Sequence, residues 1–210
     1  MHPAIFNVFE EICRRHLPDE ARVLEVGATS TPDTLLNLPA LRGAGLRVGV
    51  NLTCKTETSG HSFVQVAADG LVAFADAGFD AVLCNSVLEH DPQFWRTLAG
   101  IGRVARPGAL IVIGVPGYAD ALASPLRRWA LGAARLPGMG RLLQRLSPGW
   151  ESATPTLVRH DYPGDYYRFS PQAMREVLLA DCREVTIRIE MRPPRLIGYG
   201  WRSAAPVRAT

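Results

Sequence analysis

The chain has few of the features that mark a membrane, secreted or nucleic-acid-binding protein. Its 210 residues contain no run of about 18 apolar residues, so no membrane-spanning helix is predicted. The N-terminus lacks the basic and then apolar layout of a secretory signal peptide. The 4 cysteines show no C-x-x-C spacing, which argues against a zinc site or a disulfide framework and favours a reducing cytoplasm. A net charge of +3 is too mild to indicate nucleic acid as a partner.

The composition is that of an ordinary globular domain. Hydrophobic residues make up 47% of the chain and charged residues 20%, and the length is sufficient for a full hydrophobic core. We therefore expect residues 1–210 to form a single domain. No pattern of metal ligands occurs, so no metal ion is predicted, and the sequence predicts no particular oligomeric state.

The stretch over 22–33 predicts a strand, a glycine turn and the start of a helix. A short apolar run is formed by Val23, Leu24 and Val26, and Gly27 can adopt a positive φ where the backbone turns. Ser30 or Thr31 can cap a helix over 32–41, which begins with proline. In an open α/β sheet, this arrangement aims unpaired N–H groups at the carboxyl edge, where nucleotide-like ligands bind.

The spacing around this glycine indicates which ligand is expected. A G-x-G-x-x-G fingerprint is absent, whereas Glu25, two residues before Gly27, suits a ligand with an amino group. Val-Leu-Glu-Val-Gly resembles motif I of the class I S-adenosylmethionine (SAM)-dependent methyltransferases. The resemblance implies that Glu25 holds the methionine end, directly or through water, and that Gly27, Ala28 and Thr29 pass close to the cofactor. The family usually has glycine where this chain has Thr29 and Thr31, so the loop must differ in conformation or run wider. A core strand followed by a turn glycine is the alternative.

Two further positions follow predicted strands. A strand over 46–51 ends at Asn51, where the family has an acidic residue that binds the ribose hydroxyls. The asparagine carbonyl can accept one hydroxyl proton but lacks the charge of a carboxylate, so a weaker ribose contact is expected. A third strand over 62–67 precedes Asp69, which the resemblance assigns to the adenine amino group. A loop asparagine and a turn-forming Asp-Gly are the alternatives.

Residues 79–90 carry the most specific resemblance. Their sequence, Phe-Asp-Ala-Val-Leu-Cys-Asn-Ser-Val-Leu-Glu-His, resembles motif IV of the type 11 methyltransferase subgroup, in which a buried central strand precedes the active site. The resemblance implies that Asn85 and Ser86 line the pocket where the methyl group is delivered. His90 is a candidate general base at the mouth of this pocket, or a residue that only holds the loop.

Together these motifs predict a Rossmann-like α/β fold. The sheet is expected to be seven-stranded and mostly parallel, with an antiparallel C-terminal hairpin and helices on both faces. An Arg-Pro-Gly turn at 106–108 is expected to lead into strand five. The other predicted elements are helices over 2–17, 94–104 and 172–180, and strands over 109–115, 184–190 and 196–201.

Residues 118–160 form a predicted helical insertion after strand five. Leucines alternate with five arginines, and no acidic residue occurs between Asp120 and Glu151. The resemblance places substrate-recognition elements here, so we expect a lid over the acceptor. Two functional interpretations follow: an anionic acceptor contacted by Arg128, or contact of 121–146 with an anionic membrane surface. A helical flap with a solvated arginine face is the alternative.

The segment over 160–171 is rich in groups that bind ligands or transfer protons. Its second half resembles the D-Y-W-R-F-T-P segment of some type 11 methyltransferases. His160 is the best candidate base, with Tyr166 as a further catalytic candidate and Tyr167 and Arg168 as acceptor contacts. Alternatively, Asp165 and Arg168 pair with each other while the aromatic side chains pack.

These patterns favour SAM-dependent methyl transfer to an oxygen or nitrogen of a small metabolite or sugar-type acceptor, with an anionic acceptor as one form. The expected location is the cytoplasm, and no nucleic-acid module is present. The alternatives are a non-catalytic SAM-fold binding or scaffold protein and a peripheral membrane module.

Overall fold

In the computed structural model, a seven-stranded sheet forms the centre of the fold, and its strand order is β3-β2-β1-β4-β5-β7-β6. The structure describes residues 2–29, 32–51, 62–65, 68–118, 129, 132–133, 139, 142, 145, 164–191 and 194–204. The strands are β1 (Arg22–Val26), β2 (Leu46–Asn51), β3 (Ser62–Gln65), β4 (Phe79–Asn85), β5 (Ala105–Pro116), β6 (Cys182–Met191) and β7 (Pro194–Arg202).

The first five strands are parallel to one another and β6 runs in the same direction, so β7 is the reversed strand of the described sheet. β1 pairs in parallel with both β2 and β4, whereas β7 is antiparallel to both β5 and β6. The predicted Rossmann-like arrangement, mostly parallel with an antiparallel C-terminal hairpin, is confirmed. The chain order reverses between β1 and β4, and ligands of open α/β sheets bind at such a switch point, outside the carboxyl ends of the strands.

Helices cover both faces of this sheet. On one face, α1 (Pro3–His16) packs its apolar side chains, including Phe9, into a hydrophobic core that also contains Leu83. On the other face, α2 (Phe94–Val104) buries Ile101 in a second core, which also contains Val82. A short helical turn at Pro171–Ala173 continues as a π-helical turn over Met174–Leu178 and joins this second core.

The predicted helix over 32–41 is wrong. Two 3-10 turns, Leu35–Asn37 and Pro39–Leu41, take its place. Proline disfavours helical backbone in the residue before it, and Leu38 accordingly has ψ of 130°. The observed cap is the Thr34 side chain, and the predicted caps at 30 and 31 lie outside the described residues.

Two other boundaries differ from the prediction. The predicted turn at 106–108 belongs to β5, because Ala105 already pairs with Phe79 and the register then shifts before Ala81. The predicted helix over 172–180 is shorter and changes from α to π geometry after Ala173.

Most of the predicted insertion over 118–160 lies outside the described residues. Beyond Tyr118 at its start, six scattered positions within it are described, all six helical, and Trp129, Met139 and Leu142 among these are exposed. Arg128 and His160 fall outside the description. Within the described ranges, no helix is long and apolar enough to cross a membrane.

Candidate cofactor and acceptor site

The glycine turn after β1 is fixed to the end of β2. Gly27 has φ of +84°, and the N–H groups of Gly27 and Ala28 donate to the Val50 carbonyl oxygen at 2.8 and 3.0 Å. A Cβ atom at position 27 would lie 2.2 Å from Cγ2 of Val87, which follows β4. Glycine is therefore required here both for its backbone conformation and for the close contact between the two turns.

Glu25 lies buried beneath this turn, with 4% of its surface exposed. Its carboxylate accepts hydrogen bonds from the Thr34 hydroxyl at 2.5 Å and from the Leu35 and Leu36 N–H groups, each at 3.1 Å. Burial raises the pKa of Glu25 to about 7, and the three hydrogen bonds act in the opposite direction. The carboxylate thus supports the chain that follows the glycine turn, while its contact with the methionine end stays a prediction.

Asn51 supports the same turn from β2. Its Nδ2 amide donates to the Ala28 carbonyl oxygen at 2.7 Å. An ionised carboxylate has no proton to donate, so this contact is specific to the amide. The remaining carbonyl oxygen, Oδ1, is the Asn51 atom that can accept a ribose hydroxyl.

The turn after β4 has a strained backbone. Ser86 has φ of +57°, a left-handed conformation that is uncommon outside glycine. Its N–H donates to the Gly114 carbonyl at 2.9 Å, and its hydroxyl accepts from Arg195 Nη1 at 2.9 Å. The neighbouring Asn85 lies so close to Gly114 that a Cβ there would be 2.3 Å from Asn85 Oδ1.

A buried ion pair next to this turn was not predicted from the sequence. Glu89 has none of its surface exposed, and Arg195 Nη1 lies 3.1 Å from its Oε1. Within the described part of the chain, Glu89 Oε2 has no hydrogen-bond partner. The sequence contains one signal, because Glu89 directly follows the apolar pair Val87 and Leu88, and a carboxylate that folding buries needs a counter-ion.

The segment over 164–169 lies against the same turn. The N–H groups of Tyr166 and Tyr167 donate to the Glu89 carbonyl oxygen at 2.8 and 3.4 Å. Phe169 forms a parallel bridge with Gly117, just beyond β5. The fold thus brings the predicted acceptor segment to the edge of the sheet where β4 and β5 end.

His90 and Tyr166 are the predicted catalytic residues that the structure describes there. His90 Nδ1 lies 3.3 Å from the Gly164 carbonyl oxygen. A carbonyl can only accept, so this contact favours a proton on Nδ1 and leaves Nε2 as the basic nitrogen. The Tyr166 side chain is 58% exposed.

The two predicted acceptor contacts in this segment bind within the protein. Arg168 forms a two-bond ion pair with Asp165, in which Nη2 donates to Oδ2 at 2.6 Å, and this bonding raises the pKa of the Arg168 guanidinium. The Tyr167 hydroxyl donates to the Pro92 carbonyl at 3.0 Å, and its ring contacts Phe94. Contact of Arg168 and Tyr167 with an acceptor stays a prediction.

The remaining predicted positions carry less structural detail. Thr29 is exposed, so its side chain does not fill the interior below the turn. Asp69 lies in a 3-10 turn over Ala68–Ala73, and the position of its side chain is outside the description. Among the described residues, no group of three or more His, Cys, Asp or Glu side chains is placed to hold a metal ion.

Comparison with known sequences identifies a domain within the chain. A family model described as a methyltransferase domain matches residues 47–113. The matched segment contains Asn51, Asn85, Ser86 and His90. No curated protein sequence is significantly similar to the chain.

Solved structures share the fold at low sequence identity. The 1,6-didemethyltoxoflavin-N1-methyltransferase of Burkholderia thailandensis, solved with 1,6-didemethyltoxoflavin and S-adenosylhomocysteine bound, is 19% identical, with a TM-score of 0.62 over 95% of this chain and 79% of that chain. A SAM-dependent methyltransferase of Methanosarcina mazei is 18% identical, with a TM-score of 0.56 over 98% and 99% of the two chains. A counterpart from Archaeoglobus fulgidus is 15% identical, with a TM-score of 0.57 over 94% of each chain. The matched domain and the shared fold confirm the resemblance seen in the sequence.

Proposed function

We propose that the chain, which is a class I SAM-dependent methyltransferase, transfers the methyl group to an oxygen or nitrogen of a small-molecule acceptor. The observation that carries this proposal is the meeting of two turns at the switch point of the sheet. The turn at Gly27 contacts the turn at Val87, and the segment over 164–169 lies beside the second turn. A cofactor on the first turn and an acceptor against the second would be neighbours.

The residues of the first turn suit SAM. We assign Gly27, Ala28 and Thr29 to the approach of its methionine portion, with Glu25 contacting its amino group directly or through water. Oδ1 of Asn51 would accept a ribose hydroxyl. Because Val87 Cγ2 occupies the space beside Gly27, the missing side chain brings the turn after β4 against the proposed cofactor turn. Asp69 would meet the adenine amino group.

The second turn would receive the acceptor. SAM supplies an electrophilic methyl group on sulfur, and transfer of that group needs alignment and exclusion of water more than acid or base chemistry. Asn85 and Ser86 would line the transfer pocket. Where the acceptor must lose a proton, His90 Nε2 is the described candidate base, and Tyr166 would orient the acceptor. His160 remains a second proposed base.

The charge of the acceptor is the least constrained part of this proposal. Both described arginines at the site, Arg168 and Arg195, bind carboxylates of the chain. An anionic metabolite or sugar would therefore depend on the arginines of 121–146, with Arg128 as the proposed contact. We place the reaction in the cytoplasm, since Cys13, Cys84 and Cys182 are buried and unbridged.

Methyl transfer from radiolabelled SAM to a panel of hydroxyl- and amine-bearing metabolites and sugars tests this proposal. We expect labelled product with at least one of these acceptors. His90→Gln should lower kcat by roughly 10²-fold or more if the acceptor proton is removed by this residue. Tyr166→Phe keeps the ring and should mainly raise KM. SAM binding without transfer to any acceptor would favour a non-catalytic binding protein, and binding to anionic vesicles alone would favour a peripheral membrane module.

Replacement of Asn51 tests the ribose contact. Asn51→Ala removes both the bond to the Ala28 carbonyl and the Oδ1 acceptor, so we expect about tenfold weaker binding of S-adenosylhomocysteine. Asn37→Ala is the matched control, because Asn37 makes the same type of bond, Nδ2 to the Pro32 carbonyl at 3.1 Å, at an exposed position. Calorimetric titration measures the affinity of both variants for S-adenosylhomocysteine. Equal affinities of the two variants would show that Asn51 does not contact the cofactor.

A further inference from the structure

We infer that Arg195 is a positioning residue for methyl transfer, because its guanidinium holds the left-handed turn at Ser86 against the glycine turn of the cofactor site. The inference rests on the proposed function, which places the cofactor and the acceptor at these two turns. Arg195 itself is not assigned a contact with either ligand.

The antiparallel hairpin brings this arginine to the site. Arg195 pairs in register with Pro116, the last residue of β5, so it lies at the edge of the sheet where the parallel strands end. Its side chain is only 12% exposed. One nitrogen, Nη1, donates both to the Ser86 hydroxyl at 2.9 Å and to Glu89 Oε1 at 3.1 Å. The arginine therefore clamps both ends of the turn over 86–89.

The turn over 86–89 needs contacts from residues outside it to keep its conformation. A serine at φ of +57° is strained, and such residues persist only where the surroundings fix them. The Ser86 N–H is bound to the Gly114 carbonyl, and the hydroxyl is bound to Arg195. Loss of the arginine would leave the backbone bond as the main restraint among the described contacts, apart from the longer 3.3 Å bond from Asn85 Nδ2.

The conformation of Ser86 determines where Val87 lies. Val87 Cγ2 occupies the space directly beside Gly27, 2.2 Å from where a Cβ would be. Relaxation of Ser86 would move Val87 and so disturb the surface on which the glycine turn rests. The Glu89 carbonyl, which receives the Tyr166 N–H, would move with the same turn. Arg195 thereby couples the cofactor turn to the acceptor segment.

Arginine suits this position for a physical reason. Glu89 is fully buried, and a buried carboxylate without a counter-ion is strongly destabilising. Arg195 therefore also stabilises the fold, and a test must separate this structural role from positioning. The variant Ser86→Gly separates the two roles, because glycine adopts a positive φ without strain and the turn then no longer depends on Arg195.

The test is a double-mutant cycle on S-adenosylhomocysteine affinity, with Arg195→Gln and Ser86→Gly made singly and together. We expect Arg195→Gln to weaken binding about tenfold in the wild-type background, as for loss of one charge-assisted hydrogen bond. In the Ser86→Gly background the same change should weaken binding by less than about threefold, because the turn no longer needs the arginine. Thermal unfolding should show a stability loss from Arg195→Gln in both backgrounds, since Glu89 loses its partner in each, and a larger loss in the wild-type background, where the bond to the Ser86 hydroxyl is lost as well.

Two further variants complete the experiment. Arg195→Lys keeps a positive charge for Glu89 and so should fold even where the glutamine variant does not; its shorter, single-centred ammonium should still weaken binding. Arg188→Gln is the matched control, because Arg188 pairs with Glu11 on a half-exposed surface between β6 and α1. It should leave the affinity unchanged.

The outcomes are distinguishable. Equal affinity losses from Arg195→Gln in both backgrounds, or no loss in any Arg195 variant, would overturn the positioning role while leaving the proposed function intact. Failure of the wild-type chain to bind S-adenosylhomocysteine would overturn both.

Discussion

Gly27→Ala should reduce the affinity for S-adenosylhomocysteine by more than about 100-fold. Two effects act together at this position. Alanine resists the φ of +84° that the turn requires, and its Cβ would lie 2.2 Å from Val87 Cγ2. Either the glycine turn or the turn after β4 must move, and both belong to the proposed site. Calorimetric titration gives the affinity, and circular dichroism shows whether the variant is folded.

Gly108→Ala is the matched control for this change. Gly108 has nearly the same backbone conformation, with φ of +81°, but a Cβ there would meet no atom within 4 Å. This variant should lose about 1 kcal/mol of stability from backbone strain and retain the wild-type affinity. Adding Val87→Ala to Gly27→Ala should recover part of the binding, since it removes the contacting methyl group. Wild-type affinity in Gly27→Ala would contradict the placement of the cofactor at this turn.

Glu25→Ala should destabilise the fold by about 3 kcal/mol or more. The substitution leaves the Thr34 hydroxyl and the Leu35 N–H buried without their acceptor and leaves the Leu36 N–H only its 3.4 Å bond to Thr34 Oγ1. Each unsatisfied group costs about 1–3 kcal/mol. Denaturant unfolding measures the loss. If Glu25→Ala lowers the free energy of unfolding by less than about 1 kcal/mol, these contacts contribute little to the stability of the loop.

Glu25 should also make stability depend on pH in a defined direction. Burial raises its pKa from 4.5 to about 7 in the folded chain. The protonated form is therefore favoured by folding, and its contribution is complete below pH 4.5 and lost as pH rises through about 7. The shift corresponds to roughly 3 kcal/mol.

Glu25→Gln isolates this contribution, because glutamine imitates the uncharged carboxyl and does not titrate. The free energy of unfolding of the wild type should fall relative to that of Glu25→Gln as pH rises from about 4.5 to about 7. Urea unfolding of both chains across this range measures the difference. A difference that stays constant, or that changes in the opposite direction, would contradict the assigned cause.

The sequence predicts the central strands well because their pattern is local. The buried strand expected within 79–90 is β4, and the strand expected over 46–51 is β2. Local pattern also places Gly27 correctly at a positive φ. The prediction of a helix over 32–41 is wrong for one local and one tertiary reason. Pro39 is a local signal against it, but the capture of two N–H groups by Glu25, ten or more residues away, is a tertiary contact that a local pattern does not contain.

The unpredicted parts of the site depend on contacts that are distant in sequence. Arg195 and Glu89 are 106 residues apart and meet only because β7 inserts beside β5. Asn51 was expected to be a weakened ribose contact, and the structure adds that its amide holds the Ala28 carbonyl. The pairing of Asp165 with Arg168 was one of two alternatives, and three-dimensional geometry was needed to show it.

Hydrogen exchange with and without S-adenosylhomocysteine is the most direct test of the central claim, that the turns after β1 and β4 together form the cofactor site. Added ligand should slow exchange in peptides that cover residues 26–29 and 85–90 and leave exchange in β6, at the end of the strand order, unchanged. Protection confined to other parts of the chain, or no protection at saturating ligand, would contradict this assignment.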